Sequence, residues 1–249
     1  MAIMIKTPAE IEMMRASGRI LREVHNAIAP VVKPGATTMD LENAAAAKIA
    51  EYGVLAAFKG YHGYPAALCT SINEEVVHGI PNAKRVLRDG DIVSIDCGVI
   101  LDGFYSDAAV TYAVGTASAE TRKLLDTTEA SLNAAIQQAQ VGGRLGDISA
   151  AVQEICEAQG FGVVRDFVGH GIGRAMHEDP QVPNYGVRGK GPRLKAGMVL
   201  AIEPMINAGK ADVRVLKDGW TAVTVDGSYS AHFEHTVAIT KDGPQILTL

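Results

Sequence analysis

Between Thr7 and Ile28, apolar side chains return at Ile11, Met14, Leu21, Val24 and Ile28, the spacing of a helix with one buried stripe. Thr7-Pro8-Ala9-Glu10 in front of that stripe reads as a capping box with Pro at the first helical position. A helix is therefore predicted from Pro8, with His25 on its solvent face. A second helix is predicted after Thr38, with Asp40 and Glu42 in its first turn and Gly53 as its stop. From Ser118 the same order returns: a helix to about Gln140, a break at Gly142-Gly143, and a helix from about Asp147 to Ala158 that ends at Gly160.

The recurrence has a fixed offset. Gly35, Asp40, Leu41 and Gly53 match Gly142, Asp147, Ile148 and Gly160, each 107 positions on. The same offset lays LRDGDIVSID (Leu87 to Asp96) over LKAGMVLAIE (Leu194 to Glu203), so Asp96 falls on Glu203. Two similar halves are expected, about 1–115 and 116–249, each with two helices followed by strands. No Pro-, Ser- or charge-rich linker separates them, so one domain over 1–249 with a shared core is expected.

The period changes to two in VSIDCGVILDGFYSDAAV (Val93 to Val110), a strand pair around Asp102-Gly103, which is a strong signal for a two-residue hairpin turn. That turn puts Leu101 opposite Phe104, Gly98 opposite Asp107 and Ala109 opposite Asp96. Asp96 and Asp107 then point the same way as diagonal neighbours, with Gly98 leaving space between them; a three-residue loop would put them on opposite faces. Asp is poorly suited to strands, and burying its charge is costly unless something pairs with it. Two converging carboxylates force a proton onto one of them or call for a cation. Further ligand types stand nearby in the pattern: Glu203 by the repeat, Glu234 in the strand-like HFEHTVAI, and His170 in FVGHGIG, whose glycines permit close approach. Four carboxylates and one imidazole are too anionic for a single structural zinc. They suit two divalent ions about 3.5–4 Å apart with positions left open for water and substrate. His78 in HGIP and His177 in HEDP lie in turn-rich segments ahead of each half's first acid. They read as non-ligand donors to a substrate carbonyl or leaving group. The residues alone leave His62, His232 and His235 unassigned.

Composition narrows the setting. The chain has 249 residues, 47% apolar and 20% charged, with a net charge of −5. That is ordinary globular composition without the basic footprint of a nucleic-acid binder. No apolar run approaches the ~20 residues that cross a bilayer, and MAIMIKTPAEIEMM lacks the order of a signal peptide. Cys69, Cys97 and Cys156 are odd in number and far apart, which points to a reducing cytoplasm rather than a disulfide framework.

With GYHGYP, HGIP, DGFYSD, GHGIG, MHEDP, AIEP and FEHT in order, the chain closely resembles the type I methionine aminopeptidases in their short bacterial form. The resemblance runs from about Thr7 to the C-terminus. It implies the α/β (α+β) pita-bread fold, two pseudo-two-fold-related helix-and-strand halves around a central, mainly antiparallel sheet. It implies removal of the initiator methionine from nascent polypeptides whose second residue is small, at the ribosome and by a monomer, with no membrane or direct nucleic-acid contact. By the same resemblance Asp96, Asp107, His170, Glu203 and Glu234 ligate two divalent ions (Fe, Mn, Co or Zn), Asp107 and Glu234 bridging. It leaves open a monovalent cation in the surrounding loops. Glu203 would shuttle the proton, while His78 and His177 steady the peptide and the intermediate. Tyr61, His62, Tyr64, Cys69 and Trp220 would form the methionine pocket. Phe58 and Met176 depart there from the Cys and Phe frequent among relatives, which bears on the pocket's size and not on the metals. An X-Pro peptidase and a non-catalytic binding module on the same fold are the alternatives.

Overall fold

The computed structural model describes residues 2–249. Helix α1 spans Pro8–Ile28 and opens with the capping box: Glu10 N–H donates to Thr7 Oγ1 at 3.3 Å and Thr7 N–H to Glu10 Oε2 at 2.9 Å. Its buried face holds Ile11, Met14, Leu21, Val24 and Ile28 as the spacing predicts. It also holds His25, which is not on the solvent face: it is 4% exposed, with Nε2 3.0 Å from the Ala108 carbonyl. Helix α2, Thr38–Tyr52, is capped by Thr37 and ends on Gly53 at φ +65°. Helix α3 covers Ala119–Gln138 with Ser118 as its cap. Helix α4, Leu145–Ala158, starts two residues before the predicted Asp147, because that carboxylate sits inside the first turn and accepts the Arg144 N–H at 2.8 Å.

Equivalent contacts recur 107 positions apart. Thr37 bridges Val86 as Arg144 bridges Arg193. Gly35 N–H donates to Leu87 O at 2.8 Å, and Gly142 N–H to Leu194 O at 3.0 Å. Gly35 and Gly142 hold φ of +89° and +92°, conformations that glycine adopts without strain.

Among the described residues the central sheet has nine strands. Its path runs Leu55–Ala56, Ile92–Leu101, Phe104–Ala113, Glu234–Thr240, Val199–Ile202, Gly169–Gly171 and Glu178–Val182. Leu68–Ile72 also pairs with Ile92–Leu101, and Gly243–Ile246 with Glu234–Thr240. All of these pairings are antiparallel. Val93, Ile95, Cys97 and Val99 face α1 and α2, packed with Leu21, Val24, Leu41 and Ile49. Leu200, Ile202, Val237 and Ile239 pack with Leu132, Ile136 and Ile148 of α3 and α4. Each such side chain, fully buried, contributes about 1.5–3 kcal/mol. The helices thus cover one face of the sheet, and strand alternation turns every other residue to the opposite face. No helix among the described residues is long and apolar enough to cross a membrane.

Candidate metal centre

That opposite face is where the acids stand. The hairpin turns on Asp102 and Gly103, at φ +49° and +78°, and its register is the predicted one: Leu101↔Phe104, Gly98↔Asp107, Asp96↔Ala109. One row across neighbouring strands reads Cys69, Asp96, Ala109, Glu234. Asp107 is two residues from Ala109, so it shares their face. The next row reads His170, Ala201, Thr236, and Glu203 follows Ala201 by two. After His235 the Glu234 strand leaves the hairpin's ladder, and the Thr236 hydroxyl takes over, accepting the Asp107 N–H at 3.0 Å and donating to the Asp107 carbonyl at 2.8 Å. Gly98 does not leave an empty gap between the acids: a β-carbon there would lie 2.9 Å from Ala57 Cβ and 3.0 Å from Phe58 Cε1.

Sequence-distant carboxylates and imidazoles therefore converge. His170 Nε2 is 3.5 Å from Glu203 Oε1 and 4.0 Å from Asp107 Oδ2. Its Nδ1 lies 2.9 Å from the Gly171 carbonyl, which can only accept. The proton is thus on Nδ1, and the Nε2 lone pair faces the acids. Glycines on either side make this approach possible, since a β-carbon on Gly169 would meet the Ala201 carbonyl at 2.4 Å and one on Gly171 the Asp179 carbonyl at 2.3 Å. Ligand atoms of Asp107, His170 and Glu234 lie within 4.8 Å of one another, as do those of Glu203, His232 and Glu234.

With no cation beside them, these acids must hold protons. Burial, with Glu203's charge adding to it and His232 opposing it, pushes the Asp96 carboxyl up to about 7. Burial pushes Glu203 up to about 8, and burial with the neighbouring acids takes Asp107 and Glu234 well above the carboxylate range. His170 is pushed down to about 3 by burial. Asp96 Oδ1, Asp107 Oδ1 and Glu234 Oε1 are buried without a hydrogen-bond partner. Such orphaned acceptors are rare in folded proteins and costly. Oxygen-rich donors crowded with one lone-pair imidazole fit divalent ions.

Over this floor opens a cavity of about 290 Å³. All four acids and the histidine expected as ligands line it, namely Asp96, Asp107, His170, Glu203 and Glu234, with His78 and His177 beside them. Phe58, Tyr61, His62, Tyr64, Cys69, Met176 and Trp220 line it too, so none of the expected site residues falls elsewhere. Trp220 meets Tyr64 edge-on at 5.1 Å, and the Tyr64 hydroxyl donates to the Leu68 and Gly79 carbonyls. Burial raises the Cys69 thiol well above its ordinary range, so it is an apolar wall and not a thiolate.

His78 stands at φ +61° in a loop held by Arg85, which donates to the Thr70 and Ile80 carbonyls at 3.2 Å and pairs with Glu75. Burial pushes its imidazole down to about 4. His177 ends a run of bends over residues 173–177, immediately before the strand Glu178–Val182. Glu178, paired with Lys6 at 2.5 Å, accepts the Arg174 and Ala175 N–H groups and so fixes the loop that carries Met176 and His177. The Tyr61 hydroxyl reaches His177 Nδ1 at 2.7 Å from a turn whose own backbone bonds hold it, with Gly60 and Gly63 at φ +86° and +88°.

Val77, Phe167, Val168 and Met205 line the cavity unforeseen, and His232 stands against Glu203. The apolar four are indistinguishable from core residues in sequence. His232, two positions before Glu234 and hence of the same strand parity, offered a signal.

Comparison with known proteins agrees with this geometry. The model of metallopeptidase family M24 matches residues 12–241. The chain is 54% identical over 247 residues to the methionine aminopeptidase of Clostridium acetobutylicum, and 52% over 246 to methionine aminopeptidase 1 of Bacillus subtilis, with 99% of each chain covered in both cases. The crystal structure of methionine aminopeptidase from Thermotoga maritima superposes with a TM-score of 0.98 at 50% identity over 99% of both chains. A prolidase from Pyrococcus horikoshii OT3 shares the fold alone, at a TM-score of 0.78 and 21% identity, covering 98% of this chain and 63% of that one. The architecture is the pita-bread fold. The chain belongs to metallopeptidase family M24, on its methionine aminopeptidase branch, and with that membership comes the use of a divalent metal.

Proposed function

We propose that the chain is a metal-dependent aminopeptidase that removes the N-terminal methionine from polypeptides with a small second residue. The observation that carries this is the floor of buried, unpartnered carboxylate oxygens beneath a cavity walled by Phe58, Tyr64, Cys69, Met176 and Trp220. Asp96, Asp107, His170, Glu203 and Glu234 would hold two divalent ions, Fe, Mn, Co or Zn. When bound, such ions polarise the scissile carbonyl and lower the pKa of a water toward neutrality. Glu203 accepts the attacking water's proton and returns it to the departing amine. His78 and His177 donate to the carbonyl oxygen as charge develops on it. The substrate's free, unprotonated α-amine would bind a metal held by these residues, which restricts cleavage to a chain terminus. The apolar walls take the unbranched, polarizable methionine side chain.

The chain acts as one domain of two halves, about 1–115 and 116–249, and as a cytoplasmic monomer on nascent N-termini beside the ribosome. A monovalent cation in the loops around the site belongs to the same reading. An X-Pro peptidase is disfavoured because the prolidase likeness stops at the fold.

The experiment is peptide cleavage by chelated protein with each divalent ion added back, on Met-Ala, Met-Leu and Ala-Pro N-terminal peptides of equal length. Metal-restored release of Met from Met-Ala alone is expected. Cleavage of Ala-Pro would overturn the substrate, and no cleavage with any ion would leave a binding module.

A further inference from the structure

His232 is 1% exposed, and its Nε2 is buried without a hydrogen-bond partner. Buried ring nitrogens normally find a hydrogen-bond partner; His232 Nε2 instead faces a carboxylate, Glu203, at 3.5 Å. Its backbone is clamped: Thr111 Oγ1 accepts the His232 N–H at 2.8 Å and donates to the His232 carbonyl at 2.7 Å. The free nitrogen is aimed at the acids, 3.5 Å from Glu203 Oε2, while His170 Nε2 is the same distance from Glu203 Oε1. Glu203 thus has an imidazole on each oxygen. The two groups of converging ligand atoms, Asp107 with His170 and Glu234, and Glu203 with His232 and Glu234, each contain one imidazole and meet at Glu234.

We infer that His232 is a sixth ligand of the metal centre, on the Glu203 and Glu234 side, so that each of the two positions has its own imidazole. The inference rests on the dinuclear reading above. A second nitrogen donor matters because carboxylate and water suit Mn²⁺ and Mg²⁺, whereas imidazole favours Fe, Co and Zn. This centre is therefore biased toward the borderline ions at both positions, where five ligands with one histidine would bias only one.

The test begins with unaltered, zinc-loaded protein and X-ray absorption at the zinc edge, which counts imidazoles independently of turnover. Two imidazoles over two ions are expected. Two ions with a single imidazole overturn the inference and leave the peptidase reading intact; a protein that takes up no divalent ion overturns both. Titration of His232→Gln with Zn²⁺, Co²⁺ and Mn²⁺ supplies the second arm. One of two Zn²⁺ or Co²⁺ equivalents should weaken by roughly 10–100-fold, with Mn²⁺ affected less, and thermal unfolding checks that the variant is folded. Equal affinities for all three ions in the variant and the parent overturn the assignment.

Discussion

Glu203 has two tasks, as a metal-facing oxygen and as the carboxyl that moves the proton, and it touches little of the core. Glu203→Gln should therefore lower kcat by about 10²–10⁴-fold while circular dichroism stays that of the parent; near-parental turnover would remove the residue from the proton's path. Tyr61 acts at one remove. A phenol is the better donor and an imidazole nitrogen the better acceptor, so its hydroxyl at 2.7 Å donates to His177 Nδ1 and leaves Nε2–H to face the substrate. Tyr61→Phe keeps the wall of the cavity and frees the ring. A kcat loss of roughly 10–100-fold with KM nearly unchanged is expected, and a rise in KM alone would make Tyr61 only a wall. His78→Ala should slow turnover with bound metal unchanged, and a metal ion lost with it would make His78 a ligand.

At the scale of elements, what was legible in the sequence is what neighbours along the chain decide. The Asp102-Gly103 turn sets the hairpin register, and that register alone puts Asp96 and Asp107 on one face. The capping boxes of α1 and α2 rest on residues three apart. Contacts across long separations were not legible. His25 reads as a surface helix residue until Ala108, 83 positions away, covers it. Tyr61 and His177 meet across 116 positions, and Thr111 clamps His232 across 121. Gly98 belongs with these: its value lies in the approach of Ala57 and Phe58 from another element, which no periodicity reports. Gly98→Ala would place a β-carbon 3.0 Å from Phe58 Cε1 and 3.1 Å from the Ser106 carbonyl. The expected cost is about 1–3 kcal/mol in calorimetric stability, with KM for Met-Ala peptides raised and two metals still bound. Unchanged KM would show that the pocket wall does not depend on this strand.

The whole molecule is held between two sets of buried titrating groups with opposite signs. His25 is pushed down to about 4 by burial, as is His235. The unfolded chain takes up more protons than the folded one between about 4 and the ordinary histidine pKa of ~6.5, so stability rises with pH through that window. Asp96 and Glu203 are raised to about 7 and about 8, with Asp107 and Glu234 raised as well. For these the folded chain holds the extra protons, and stability falls as pH climbs from the ordinary carboxylate range toward 8. Above ~6.5 the histidines have finished titrating and only the acids remain. Chelated protein should therefore lose stability steadily as pH climbs from 6.5 toward 8. Glu203 alone accounts for about 2 kcal/mol of that loss, or ~4–8 °C in Tm for a chain of this size. Divalent ions compete with those same protons, so adding metal should restore Tm most at pH 8 and least at pH 5. Scanning calorimetry from pH 5 to 8, chelated and metal-loaded, tests this directly. A chelated protein whose Tm does not fall above pH 6.5 would mean that the four acids are not held together as charges awaiting a cation.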